Sequence, residues 1–156
     1  MIYTIYLLWY KIIIGGIMDF TFGNSITVEE FNELRTIVGW NKIENELAIK
    51  SIKNSLFLTT VRNNNEIIGL ARVCGDGGYT VVIADVIVKP AYQKKGIGKK
   101  LMENVIEYLK NSLKDGQEIF VNLMSAKNKE TFYKQFGFVE RPNDNVGAGM
   151  TQWIKK

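Results

Sequence analysis

The amino-acid sequence predicts an α/β protein, with helices packed against a mixed β-sheet, and three observations support this prediction. First, β-rich runs begin at residues 56, 67 and 79 and follow one another with turn-forming residues between them. Second, apolar residues at helical spacing occur before and after these runs. Third, a long β-branched run ends at residue 88 and passes through a short segment rich in glycine and lysine into a helical pattern. Strands and helices in this order favour a sheet with helices against it.

The segment before the β-rich runs contains one predicted strand and two predicted helices. The residues that follow Met18 have the pattern of a first strand. Thr27 and Glu30 have the spacing of a capping box, and apolar residues follow at helical intervals, so we expect a helix over residues 28–38. Residues 44–54 carry a weaker helical pattern, which predicts a second helix.

The β-rich runs themselves predict an antiparallel meander of three strands. Residues 63–65 are three asparagines, and residues 76–78 are an aspartate and two glycines, all of which favour tight turns. Pro90 follows the third run and has no N–H group to donate to a sheet, so we expect the strand to end there.

The second half of the chain completes the predicted sheet. A long amphipathic helix follows the glycine-rich segment, because apolar residues recur there at every fourth position. A strand, a short helix and two short terminal strands come next, over residues 118–125, 129–135, 138–141 and 150–154. The order is β-α-α-β-β-β-α-β-α-β-β, and we expect a mostly antiparallel, twisted sheet of about six to seven strands flanked by about four helices.

The composition excludes several kinds of catalytic site. The chain has 156 residues, the size of one domain, and contains no histidine. This excludes Ser-His-Asp and Cys-His nucleophile pairs and histidine-based metal sites, and we expect no metal. The single cysteine, Cys74, lies in an apolar run, so we expect a reduced core residue of a cytoplasmic protein.

The N-terminal segment is apolar and aromatic over residues 1–17, interrupted by Lys11. It is short for a membrane span, which needs about 20 apolar residues, and it lacks the basic start and cleavage site of a signal peptide. We interpret Met18 as a candidate true start, with residues 1–17 an extension and residues 18–156 a single domain. We expect no membrane association unless the extension belongs to the native protein, where it would form an added strand or a hydrophobic arm.

Residues 93–98 have the properties of an anion-binding loop. A helix that begins near Gly98 presents unpaired N–H groups and the positive end of its dipole. Gly96 and Gly98 allow a phosphate to approach the backbone, and neighbouring lysines add positive potential. Neither a P-loop nor a dinucleotide-binding fingerprint is present, since Gln93 and Leu101 stand where those motifs require glycine. A bound diphosphate is the sharper interpretation, and a plain turn into a helix is the alternative.

The same loop has the form Q/R-x-x-G-x-G/A, written here as Gln93-Lys94-Lys95-Gly96-Ile97-Gly98. It resembles the signature of the GNAT superfamily of acetyl-CoA-dependent N-acetyltransferases. The surrounding "ADVIVKPAYQKKGIGKKLMENVIEYL" is similar to that family's whole acetyl-CoA motif, and "NKETFYKQFGF" is similar to its second motif. Residues 19–153 follow the family's element order, so the resemblance implies a GNAT-like fold.

The resemblance also implies how acetyl-CoA would be bound. In the family, backbone groups at the positions of Val86, Ile87 and Val88 pair with the pantetheine arm as another strand would. Asn128 matches a position that often touches CoA, and it could equally be the N-cap of the following helix. The residues that the resemblance assigns to the pyrophosphate are Gln93, Lys94, Lys95, Gly96, Ile97 and Gly98. Lys99 joins them because its positive charge lies at the start of the helix.

Two residues are candidates for proton transfer. Tyr133 corresponds to the family's general acid, which protonates the departing CoA thiolate. Asp85, just before the pantetheine-binding residues, is the candidate base for the acceptor amine. The alternative for Asp85 is a structural role in the sheet. Some family members use a water chain instead of a side chain as the base. Val82 occupies another position at which the family has a base, and it cannot act as one.

The leading functional interpretation is transfer of acetyl from acetyl-CoA to a primary amine by direct attack in a ternary complex. We expect a small molecule rather than a protein as the acceptor. The alternatives are a non-catalytic acyl-CoA sensor and a basic nucleic-acid-binding module, the latter suggested by the net charge of +4. No nucleic-acid-binding signature is present, so we expect no nucleic-acid partner. A sheet edge or the N-terminal segment could support a homodimer.

Overall fold

The computed structural model describes residues 11–13 and 19–154 of the chain. The chain divides into two compact units, with the division after Leu123. In the first unit the elements are β1 (Lys11–Ile13), β2 (Asp19–Gly23), α1 (Val28–Ile37), α2 (Asn45–Lys53), β3 (Phe57–Asn63), β4 (Glu66–Gly75), β5 (Thr80–Val88), a 3₁₀ turn (Pro90–Tyr92), α3 (Ile97–Asn111) and β6 (Phe120–Leu123). The second unit contains α4 (Glu130–Lys134).

The six strands described in the first unit form one sheet in the order β1-β2-β3-β4-β5-β6. Neighbouring strands from β1 to β5 are antiparallel, and β6 runs parallel to β5. The return from β5 to a parallel neighbour needs a crossover, which α3 provides. The predicted α/β class, the three-stranded meander and the mostly antiparallel sheet are confirmed.

Helices cover both faces of this sheet. Leu70 of β4 belongs to the core cluster that includes Phe31 and Leu34 of α1. The preceding residue, Gly69, lies against α3, since a Cβ at that position would be 3.3 Å from Cδ1 of Leu101. Successive strand residues point to opposite faces, so α1 and α3 pack on opposite sides of β4.

Both α1 and α2 begin at a side-chain cap. At the start of α1 the Glu30 N–H donates to the Thr27 hydroxyl over 3.2 Å, and the Thr27 N–H donates to the Glu30 carboxylate over 2.9 Å. These two bonds form the predicted capping box. At α2 the Glu44 carboxylate accepts from the N–H groups of Glu46 and Leu47, each over 3.0 Å. A carboxylate there satisfies N–H groups that have no partner within the helix.

The two predicted C-terminal strands, over residues 138–141 and 150–154, are wrong. Between α4 and residue 154 the structure has no strand, and pairing is limited to one bridge between Asn143 and Val146. Val139 and Trp153 are 76% and 85% exposed. A short β-rich run becomes a strand only where it pairs with a neighbour and buries one face, and these runs do neither.

At the other end of the chain, Lys11–Ile13 pairs with Asp19–Thr21 as an added edge strand. Our expectations about residues 1–10 and about Met18 as a start lie outside the described residues. The division into an extension (1–17) and a single domain (18–156) stays a prediction. None of the helices described here is long and apolar enough to cross a membrane.

Candidate acetyl-CoA site

The glycine-rich loop joins the 3₁₀ turn to α3. Its backbone adopts left-handed conformations at Lys94, with φ of 60°, and at Gly96, with φ of 78°. Gly96 is also the N-cap of α3, and it provides no side-chain cap. The N–H groups of Ile97, Gly98 and Lys99 open the helix, where no intrahelical acceptor exists for them. Ile97 is buried, so the loop is anchored by one apolar side chain while its first helical N–H groups remain available to an anion.

Charged and aromatic side chains surround this loop. Lys94 and Lys99 are exposed, and the Lys95 ammonium lies 5.2 Å from the centre of the Tyr92 ring. Lys99 is 3.9 Å from Glu103, one helical turn further along α3. The loop therefore combines positive side chains with a helix N-terminus, which together favour a diphosphate.

Gln93 connects the loop to the end of β5. Its side-chain amide donates to the Val88 carbonyl over 2.9 Å. The first residue of the motif thus holds the backbone at the point where the strand ends. The assignment of residues 93–99 to the pyrophosphate stays a prediction.

Among the described residues of the first unit, no strand pairs with one edge of β5 where the resemblance assigns the pantetheine arm. Pairing between β5 and β6 runs from Thr80 to Ile83 and then stops. On its other side β5 continues to pair with β4 as far as Val88. Val86, Ile87 and Val88 therefore have one described strand neighbour, and their other edge can accept an extended polar chain through backbone hydrogen bonds. Occupation of this edge by pantetheine stays a prediction.

Asp85 lies in an irregular part of β5. The pairing register with β4 shifts between Leu70 and Arg72, and Asp85 has φ of 49°. Arg35 donates to one carboxylate oxygen over 2.5 Å, and Arg72 donates to the other. The carboxylate is 6% exposed and each arginine side chain is 13% exposed. This arrangement matches the structural alternative for Asp85, and its role as a base stays a prediction.

Arg72 also connects Asp85 to α2 and to the cysteine. Its guanidinium donates to the Ser51 carbonyl over 3.1 Å and contacts the Cys74 sulfur over 3.0 Å. Burial raises the pKa of the Cys74 thiol, so this half-buried residue is a neutral thiol at neutral pH. Reading the sequence missed the arginines. A signal for Arg72 was present, because Arg72 and Asp85 each interrupt an apolar run in adjacent strands of the predicted meander.

The second unit carries Tyr133 and Asn128. Tyr133 is half-buried on α4, and its ring packs edge-on against Phe132 and Phe138, with centroids 5.0 and 6.3 Å apart. Burial raises the pKa of the phenol, so Tyr133 keeps its proton at neutral pH, as a general acid must. Asn128 has φ of 66°, while the N-cap of α4 is Lys129 without a side-chain cap bond. The N-cap interpretation of Asn128 is therefore wrong, and its contact with CoA stays a prediction.

Over residues 11–13 and 19–154, the structure contains no group of three or more His, Cys, Asp or Glu side chains that could hold a metal ion.

Comparison with known proteins gives one consistent result. Residues 25–153 match the family model of the acetyltransferase (GNAT) domain. An uncharacterized N-acetyltransferase of Pyropia yezoensis is 27% identical over 127 residues, which cover 79% of this chain and 71% of that protein. A similar uncharacterized N-acetyltransferase of Prochlorococcus marinus is 32% identical over 120 residues, covering 74% and 64% of the two chains. The crystal structure of a probable acetyltransferase from methicillin-resistant Staphylococcus aureus superposes with a TM-score of 0.76, at 28% identity, over 86% of this chain and 99% of that one.

Proposed function

Because the chain belongs to the GNAT superfamily of acetyltransferases, and is therefore an acyltransferase, we propose that it transfers acetyl from acetyl-CoA to a primary amine. The observation that supports acetyl-CoA best is the loop at the start of α3, where left-handed residues, free helical N–H groups and lysines meet. Binding of the pantetheine arm along β5 is supported by the end of the described β5–β6 pairing at Ile83.

The reaction that we propose is direct attack within a ternary complex. The amine nitrogen forms a bond to the thioester carbonyl carbon, and the carbon–sulfur bond breaks. A backbone N–H near Val88 polarises the carbonyl, and Tyr133 gives its proton to the departing thiolate. A phenol has an ordinary pKa of about 10 and a thiol one of about 8.5, so this transfer is modestly uphill and depends on position.

The amine must lose a proton before it attacks. Asp85 is the candidate that the resemblance provides, but both of its oxygens already accept from arginines. Taking up the proton would neutralise the carboxylate and weaken its ion pairs with both arginines. A water chain that carries the proton to solvent avoids that loss.

The first experiment is the melting temperature of the purified chain with acetyl-CoA, NAD, ATP and duplex DNA in turn. A ligand at about 100 times its Kd adds about 2.7 kcal/mol, which raises the melting temperature of a chain of this size by about 5–10 °C. We expect this shift with acetyl-CoA and its loss in Gly96→Asp. A matched control is Gly116→Asp, since Gly116 has a similar φ of 80° with open space around it. Failure of acetyl-CoA to shift the wild-type protein would overturn the proposal.

A screen of acceptors follows from that result. We propose a small-molecule amine as the acceptor, and the screen would include a lysine peptide as the competing class. Release of free CoA with an amine identifies the reaction. Binding of acetyl-CoA without turnover of any amine would favour the sensor, and duplex DNA that shifts the protein where acetyl-CoA does not would favour the nucleic-acid-binding module. A cytoplasmic location and a homodimer complete the proposal.

A further inference from the structure

A buried lysine stands at the junction between β5 and the glycine-rich loop. The Lys89 side chain is 7% exposed, and its ammonium donates to Glu33 of α1 over 2.5 Å and to Glu66 of β4 over 2.8 Å. Burial alone would lower the pKa of Lys89, but the hydrogen bonds to both carboxylates outweigh it and the pKa is raised. Lys89 is thus charged, and its ion pairs connect it to α1 and to β4.

The other end of the 3₁₀ turn is fixed by Glu66, one of these two carboxylates. The Tyr92 hydroxyl donates to the second oxygen of Glu66 over 2.9 Å and accepts from the Asn63 side-chain amide over 3.2 Å. The Tyr92 ring lies edge-on to Phe20, with centroids 6.4 Å apart. Glu66 therefore bridges the residue before the turn and the last residue of the turn.

Backbone hydrogen bonds add to these contacts, and we call the contacts of Lys89 and Tyr92 with β4 the clamp. The Lys89 N–H donates to the Ile68 carbonyl over 2.8 Å, and the Tyr92 N–H donates to the Lys89 carbonyl over 2.8 Å. Gln93, the first residue of the loop, follows directly. The turn that leads into the loop is therefore held at both ends by Glu66, the first residue of β4, and at one end also by Ile68.

We propose that Glu66 is a positioning residue for acetyl-CoA binding, which acts through Lys89 and Tyr92 and not by touching the ligand. This rests on the proposed function of the loop. A loop held in its binding conformation loses less conformational entropy when the ligand binds, so the clamp increases affinity.

The sign of the effect separates positioning from simple electrostatics. Acetyl-CoA is an anion, and the Glu66 carboxylate is negative, since its hydrogen bonds to Lys89 and Tyr92 lower its pKa. If charge alone mattered, removing Glu66 would strengthen binding. If Glu66 positions the loop, removing it weakens binding.

The experiment measures the Kd of acetyl-CoA by calorimetry, together with KM and kcat, for Glu66→Gln. We expect Kd and KM to rise about 5- to 10-fold, as loss of one or two hydrogen bonds would give, with kcat at saturation unchanged. The matched control is Glu33→Gln, which removes the same charge from the same lysine but leaves the bond between Glu66 and Tyr92 intact. We expect Glu33→Gln to bind acetyl-CoA as tightly as wild type or slightly more tightly.

A second variant, Tyr92→Phe, removes one hydroxyl and no charge. We expect it to weaken binding in the same direction, and the double variant with Glu66→Gln to be less than additive, because both break one bridge. Tyr92→Phe tests the inference even if Glu66→Gln melts at too low a temperature for binding to be measured. Wild-type affinity in Tyr92→Phe, or equal losses in Glu66→Gln and Glu33→Gln, would overturn the inference. A wild-type protein that does not bind acetyl-CoA would instead overturn the proposed function.

Discussion

At the scale of single residues, Asp85 shows how a charge inside a sheet determines its surroundings. A carboxylate that is 6% exposed has lost most of its contact with water, and this loss costs several kcal/mol unless other groups replace the water. Arg35 and Arg72 replace it, and they connect Asp85 to α1 and to the α2 segment. The local fold therefore depends on this group whether or not it takes part in catalysis.

Asp85→Asn should lower the free energy of unfolding by about 3 kcal/mol, because two partly buried guanidinium groups would lose their only anionic partner among the described ion pairs. Chemical denaturation at pH 7 measures this change. Asp115→Asn, at an exposed position, is the control, and its effect should stay within about 0.5 kcal/mol.

The same variant tests the catalytic role of Asp85. If Asp85 is only structural, the folded fraction of Asp85→Asn should retain its kcat and its pH profile. A loss of kcat by about 100-fold or more, with the fold intact by circular dichroism, would identify Asp85 as the base.

At the scale of elements, Glu30 connects the start of α1 to β3. Its carboxylate caps Thr27 and accepts two bonds from the Arg62 guanidinium, over 2.5 and 2.9 Å. The bond with Arg62 is the main cause that lowers the pKa of Glu30 below its ordinary value of 4.5. Because the pKa of Glu30 is lower in the folded state, this carboxylate stabilises the protein at pH values above its ordinary pKa. The stabilisation is lost as the pH falls through the lowered pKa.

Glu30→Gln should therefore lower the melting temperature at pH 7 by about 2–4 °C, corresponding to about 1 kcal/mol, since the amide can still cap but cannot pair with Arg62. The difference from wild type should shrink as the pH falls below about 4. Melting curves between pH 3 and pH 8 measure both effects. Glu29→Gln is the control in the same helical turn, and we expect it to lower the free energy of unfolding by about 0.5 kcal/mol or less. A constant offset between Glu30→Gln and wild type at every pH would contradict the expected linkage.

Most elements of the first unit could be predicted because their signals are local. The capping box of α1, the turns between the meander strands and the glycine-rich start of α3 depend on residues within a few positions of one another. The two C-terminal strands could not be predicted, since β-rich composition says nothing about whether a partner strand is there.

At the scale of the whole molecule, the net charge of +4 and the lysines at the loop favour anionic ligands. Binding of acetyl-CoA should weaken several-fold as ionic strength rises from about 0.05 to about 0.5 M, because the Debye length shortens. Lys99→Gln should reduce this salt dependence. Lys110→Gln, an exposed lysine at the other end of α3, should not. Equal effects of the two variants, measured by calorimetry at both salt concentrations, would show that the general charge acts and not the loop.

The sequence alone determined the class of fold, the order of the elements in the first unit and the loop that carries the family's motif. These follow from periodicity, turn chemistry and capping, which act over a few neighbouring residues. Only the tertiary structure decided which partners the buried charges take. Asp85 pairs with Arg35, 50 positions away, and Lys89 pairs with Glu33, 56 positions away. A charge removed from water needs a partner, and that partner can come from any part of the sequence. Here the packing of α1 on the sheet brings the partners together.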